Sequence, residues 1–328
     1  MIRPSTITKP SSRFVCALFA SFLTATASAD DYPAKPIRFI AGAGPGGASD
    51  ILARAFALKL TDKFGRQVIV DNRPGAGQNI AADITAKSVA DGYTIFMAAS
   101  AFTINPSIYR NLPFDPLRDF SPIGMVANVP NMLVVQPSTG AKSVNDLIGL
   151  ARAAPGKLVF GSGGVGSASH LAGELLMLLT HVQFTHVPYK SQGLTMIDLL
   201  GGQIQLAFPS IPASIQFVKA AKLTALGIAT LRRSSAMPDV PTIDEAGVKG
   251  YDVSGWYGVI GPARLPKPIV ARLNQEINRI LEDADMRDTL SREGSDAVGG
   301  TPDGFARIIA HDLAKWAKVV KAANIRLE

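Results

Sequence analysis

The sequence predicts an α/β protein of two lobes, each built on a parallel-rich sheet, with a cleft between them. Three observations carry this expectation. Strand-like and helix-like segments alternate along almost the whole chain, as they do where crossover helices join parallel strands. The alternation falls into two series, and a later strand-like stretch, "GWYGVIGPARLPKP", reads as a further crossing between them. Each series also contains one glycine-rich turn from a strand into a helix.

The first series opens on the strand "IRFIA", passes through Gly42–Gly47 and enters the helix "SDILARAFALKLTDKF". Leu52, Phe56 and Lys59 are helix neighbours there, as are Ile51, Ala55 and Leu58, so the buried stripe is wide. Ser49 fits an N-cap and Gly65 a C-terminal stop. The strand "QVIVD", the turn "NRPGAGQN", a helix over 80–90 and the strand "YTIFMAA" complete a βαβαβ run. The second series starts near "NMLVVQP" and continues through the helix "SVNDLIGLARAA", the strand "KLVFGSG" and the helix "SASHLAGELLMLLT". "FTHVPY", the helix "GLTMIDLLGG" and the strands "QIQLAF" and "LTALGIA" follow. The last part reads as helices, one of them with Ile269, Leu273, Ile277 and Leu281 at four-residue spacing. One lobe is expected over 30–130 and 253–328, the other over 131–252.

Residues 1–29 read as a secretory signal peptide. Arg3, Lys9 and Arg13 precede the apolar run "FVCALFASFLTATA", and Ala27-Ser28-Ala29 is a small-residue cleavage site before Asp30. The run is shorter than the roughly 20 residues that span a bilayer. Cleavage after Ala29 removes Cys16, the 1 cysteine of the chain, and with it any disulfide, thiol nucleophile or thiolate metal site. The formal charge of +7 is scattered, with no basic stripe among aromatics, which excludes a nucleic-acid groove.

Gly42, Gly44 and Gly47 fit G-x-G-x-x-G, and so do Gly161, Gly163 and Gly166. Such turns bring backbone N–H groups to a helix N-terminus, which suits phosphate or carboxylate alike. Asp71 stands where a dinucleotide's ribose would be bound, leaving an exported NAD(P)-dependent enzyme as a remote alternative. Against it, Asp50 puts negative charge in the first helical turn and Pro45 removes a donor. Of the 4 histidines, His181 and His186 lack an acidic partner for zinc, and His170 pairs with Glu174 at a helix start. No G-x-S-x-G elbow and no base–nucleophile pair is legible, so no enzyme, metal or cofactor is expected.

The segments "YPAKPIRFIAGAGPGGASDILAR", "VDNRPGAGQNIAA", "ADGYTIFMAASAFTINPSIY", "GSGGVGSASHLAGE", "HVPYKSQGLTMIDLLGGQIQLAF" and "MPDVPTIDEAG" occur in that order. Together they resemble the Bug-type extracytoplasmic solute receptors of tripartite tricarboxylate transporters, over essentially the whole mature chain. The resemblance implies a monomeric periplasmic Venus flytrap closing on a small organic carboxylate and docking on large and small membrane permease subunits. It places Pro45, Gly46, Gly47, Ser49 and Asp50 on one side of the site. Ser162, Gly164, Gly166, Ser167 and His170 lie on the other, with Ser100, Tyr189 and Lys190 approaching the cleft. Asp50 serves equally as a brace of the helix start, Tyr189 as core and Lys190 as a surface cation; turn geometry and solvation account for Arg73. A subunit presenting ligand to a sensor has the same cleft.

Two departures from the family's pattern concern the ligand. Gly42-Ala43 stands where members commonly have Pro-Phe, and Pro209 where many have Asp. The lost Asp argues against an amino-acid ligand. The lost ring makes room for an aromatic dicarboxylate such as terephthalate, with an aliphatic di- or tricarboxylate as the rival.

Overall fold

β1 (Ile37–Ala41) is buried along nearly its whole length, because helices and neighbouring strands cover both its faces. The structure, a computed structural model, describes residues 32–189, 192–292 and 294–325. The expected signal peptide, its cleavage after Ala29, Cys16 and Lys190 lie outside the described residues.

β1 leads into α1 (Ala48–Phe64), which stops at Gly65, where φ is 62° and the N–H returns to the Thr61 carbonyl. The start differs from expectation: Gly47 is the N-cap and Ser49 lies in the first turn. The cause is Asp50, whose carboxylate accepts the Gly46 N–H at 2.9 Å and winds the helix two residues earlier. β2 (Val68–Asn72), a 3-10 turn at Ala76–Gln78, α2 (Asn79–Ala86) and β3 (Thr94–Ala99) follow. α2 ends four residues before the expected limit.

α3 (Ala101–Ile108) and β4 (Phe120–Val129) were not legible, since each carries a proline that reads as a breaker. Pro122 is accommodated in β4 next to a register shift against β10 (Gly255–Pro262). The first sheet is ordered β11-β4-β10-β3-β1-β2, with β11 at Asp296–Ala297. Its pairings are parallel among β1, β2 and β3 and antiparallel where β10 and β4 enter.

The second sheet takes β5 (Met132–Val135), β6 (Val159–Ser162), β7 (Thr185–Pro188), β8 (Leu206–Ala207) and β9 (Thr224–Ile228) in the order β7-β6-β8-β5-β9. β6 is parallel to β7 and β8, whereas β5 is antiparallel to β8 and β9. Both sheets are therefore mixed rather than parallel-rich. The βαβ runs behave as expected, and the strands that carry the chain across add the antiparallel pairs. α4 (Val144–Ala153), α5 (Ala168–Thr180), α6 (Gln192–Leu200) and α7 (Ile211–Lys219) accompany this sheet.

α8 (Lys267–Glu282), α9 (Ala284–Arg292) and α10 (Pro302–Ala322) complete the chain. At 21 residues α10 is about 30 Å long. Its first half puts Phe305 and Ile309 into the core over the first sheet, with Phe96 and Trp256. Its second half puts Trp316, Val319 and Val320 into the core over the second sheet, with Leu133 and Phe160. α3 also sends Ile104 and Ile108 into that second core. One continuous helix thus secures both sheets. No helix among the described residues is long and apolar enough to cross a membrane.

Candidate functional site

The two glycine turns share one construction. After β1, Gly47 N–H bonds the Gly44 carbonyl at 3.0 Å; after β6, Ser167 N–H bonds the Gly164 carbonyl at 3.1 Å. In the first turn Gly46 N–H is accepted by Asp50 at 2.9 Å, and in the second Gly166 N–H is accepted by His170 Nδ1 at 3.0 Å. Each acceptor is held in turn by a residue one helical turn further on. Arg54 Nε lies 2.9 Å from Asp50, and Glu174 lies 3.3 Å from His170 Nε2. Gly46 and Gly166 occupy matching left-handed conformations, φ 80° and 77°, which glycine adopts without strain. The structural match pairs Gly44 with Gly164 and Gly46 with Gly166, one residue out of step with the G-x-G-x-x-G patterns read from the sequence.

The turns differ in what they leave free. In the second the hydroxyls are engaged, as Ser169 Oγ accepts Gly163 N–H at 3.0 Å, Ser167 Oγ caps His170 N–H at 3.2 Å and Ser162 Oγ is 3.2 Å from Gly164 N–H, while the Ala168 and Ser169 N–H groups have no acceptor among the described residues. In the first, the N-cap Gly47 supplies no side-chain cap: Asp50 N–H returns to the Gly47 carbonyl at 2.9 Å, and the Ala48 and Ser49 N–H groups have no acceptor among the described residues. The buried Ser49 Oγ has no hydrogen-bond partner among the described residues. Because β1 and β3 are adjacent and parallel, this turn lies beside Ser100. Ser100 N–H is committed to the Trp256 carbonyl at 2.9 Å, while its hydroxyl makes no hydrogen bond among the described residues.

Asp50 is 2% exposed and also accepts Asn72 Nδ2 at 2.8 Å. Burial pushes its carboxyl up, but the hydrogen bonds from Arg54, Asn72 and Gly46 outweigh that and hold it below the usual range. Its geometry is that of a brace. Pro45 and Gly46 are exposed at the turn's tip. Asp71 is engaged by Arg38 at 2.7 Å and by Arg73 at 3.1 Å, so it serves as the partner of two arginines and not in the ribose role.

Around the second turn, Tyr189 donates its phenol to Asp198 at 2.6 Å, and its N–H bonds the Ser162 carbonyl at 3.0 Å. Burial and the Asp198 contacts push the phenol up to about 12. Tyr189 buttresses the turn. Ser162, fully buried, meets His186 Nε2 at 2.7 Å, a pair that sequence spacing did not reveal. The His186 ring is stacked between Phe160 at 4.6 Å and His170 at 4.0 Å. The alternation along β7, which places His186 on the sheet face shared by its register partner Phe160 and by Ser162, is the sequence signal for this contact. The hydrogen bonds and ion pairs named for the first turn all close within its own lobe, and those of the second turn within the other.

Burial, reinforced by His170, lowers His186 to about 4. An unfolded histidine titrates near 6.5, so between these values the unfolded chain binds the proton and the folded one does not. The contribution is fully present above pH 6.5 and is lost as pH falls towards 4. With the ring half open to solvent, it is worth about 1–2 kcal/mol. Denaturation of the wild type and His186→Gln at several pH values is expected to show this extra slope in the wild type alone. Equal slopes would remove the assignment.

A separate concavity of about 670 Å³ lies against the crossing segments at Pro130, Thr230 and Asp252 and the start of α10. It contains none of the residues expected at the site. Its carboxylates are engaged internally: Asp312 bonds Trp256 Nε1 at 2.9 Å and pairs with Lys315, and Asp296 accepts from Ser235 at 2.8 Å. Its lining also carries Arg232, Arg307 and His311, but neither glycine turn opens into it.

Comparison with known proteins places this geometry. Residues 52–325 match the family model of the tripartite tricarboxylate transporter family receptor. BugT of Bordetella pertussis is 36% identical over 308 residues, 93% of this chain and 94% of BugT. Rpa4515 of R. palustris, solved with adipate, is 35% identical, with a TM-score of 0.75 over 90% of this chain and 100% of its own. MatC of Rhodopseudomonas palustris, solved with bound malate, is 27% identical, with a TM-score of 0.71 over 88% of this chain and 100% of its own. The chain has the two-lobed binding-protein fold and belongs to the tripartite tricarboxylate transporter receptor family, whose members are solute receptors of transporters and not enzymes.

Proposed function

We propose that this protein is exported to the periplasm, where it captures a small organic dicarboxylate for a tripartite transporter. The carrying observation is the pair of matched turns, each opening a helix whose first two N–H groups are uncommitted, with the buried Ser49 hydroxyl uncommitted as well at the first. One carboxylate docks on α1, with Gly47, Ser49 and Ser100 around it and Asp50 holding the turn's shape. Closure of the lobe of 131–252 onto the lobe of 30–130 and 253–328 then brings the turn of Ser162, Gly164, Gly166 and Ser167 to the ligand's other end. Bridging waters are energetically adequate there. Large and small permease subunits receive the closed form.

The specific candidate is terephthalate. Ala43 is small and half-buried, and Pro209 offers no carboxylate to an amino group. Adipate in Rpa4515 and malate in MatC favour the aliphatic reading. Thermal melting with terephthalate, benzoate, adipate, malate and citrate decides. A ligand at 100 times its Kd adds about 2.7 kcal/mol of stability. Terephthalate is expected to raise Tm more than benzoate, since only it has two anionic ends. Shifts with aliphatic acids alone sink the aromatic assignment, and no shift with any acid sinks the carboxylate reading.

A further inference from the structure

The turn between β2 and α2 ends on Gln78, which has φ 76°, in the left-handed region that favours glycine. Gly75, Ala76 and Gly77 before it also have positive φ, at 122°, 45° and 62°. Strained backbone of this kind persists only where its surroundings over-determine it, and it concentrates at ligand clamps. Asn105 of α3 supplies the restraint, donating Nδ2 to the Gly77 carbonyl at 2.7 Å and to Asn79 Oδ1 at 2.8 Å.

The side chain is aimed across the ends of two strands. Its stem covers Gly42, where an added Cβ would come within 2.7 Å of Gln78 Cγ and 2.8 Å of its Cβ. Its Oε1 accepts the Ala99 N–H at 3.2 Å. Holding Oε1 there turns Nε2 away, and Nε2 has no partner among the described residues. Gln78 is half-buried, between the turn after β1 and Ser100. Ligands in open α/β sheets bind at this carboxyl edge of the strands.

We propose that Gln78 is a ligand-contacting, specificity-determining residue. It donates Nε2 to a carboxylate oxygen and fills part of the space that Gly42-Ala43 leaves open. The inference rests on the carboxylate-receptor reading. Gln78 thereby makes a strained conformation useful: a glycine at the same φ would be more stable but would carry no donor.

Calorimetry and melting of the wild type, Gln78→Glu and Gln78→Gly, each with terephthalate and with adipate, test this. Gln78→Glu keeps the stem and the oxygen that accepts Ala99 N–H but replaces the donor with a negative charge. Its affinity is expected to fall about ten- to hundred-fold. Gln78→Gly is expected to bind more weakly while melting no lower than the wild type. That combination separates ligand contact from a merely structural brace, which would lower Tm. Unchanged affinity in both variants overturns the inference alone. A wild type that binds neither these acids nor any other acid of the panel overturns the carboxylate reading with it.

Discussion

Replacing Asp50 by alanine is expected to lower carboxylate affinity at least about ten-fold and to cost about 2–3 kcal/mol of stability. The loss of affinity runs against simple electrostatics, because removing an anion near an anion site should strengthen binding. The buried carboxylate is committed to Arg54, Asn72 and the Gly46 N–H, and so dictates the turn that exposes the α1 donors. Alanine frees the Gly46 N–H and the Arg54 guanidinium, and the turn loses its shape. Asp50→Asn keeps an acceptor for Gly46 and is expected to lose less than half as much. Isothermal calorimetry with the best dicarboxylate of the panel checks this; tighter binding by the alanine variant would show that charge repulsion outweighs the bracing of the turn.

Trp316→Ala is expected to remove about 3–5 kcal/mol by emptying a fully buried indole site in the second core. The same helix anchors Phe305 and Ile309 in the first core, so α10 transmits the loss between the two sheets. Trp316→Phe is the informative partner. The indole Nε1 is buried with no hydrogen-bond partner among the described residues, so phenylalanine keeps most of the packing and removes an unsatisfied donor. Its loss is expected to stay below about 1.5 kcal/mol. Urea denaturation of both variants decides, and a loss under about 1 kcal/mol in the alanine variant would show that the indole does not anchor α10.

The strands and helices flanking the glycine turns were legible because burial on both faces, helix periodicity and the Gly65 stop are local properties of the chain. The prolines at 106 and 122 concealed α3 and β4, since a breaker tolerated at a helix end or beside a register shift looks, from sequence, like one that breaks. Ser49 resembles a cap in the sequence because its competitor is the Asp50 side chain reaching back to Gly46, an interaction that propensity does not include. Gln78 and His186 do not stand out in the sequence for a related reason. Neither residue type is unusual where it stands, and each acquires its meaning from a partner on another element, Ala99 and Gly42 for one and Ser162 for the other.

The amino-acid sequence by itself determined the two α/β series, the paired anion-type turns and the family, all of which are written in contiguous residues. The tertiary structure alone decided which of the two turns keeps a buried serine hydroxyl free. It also decided that Asp50 is tied to Gly46, Asn72 and Arg54, and that one helix secures both cores. Hydrogen-bond saturation and burial are sums over neighbours brought from distant parts of the chain, and no contiguous stretch contains those neighbours.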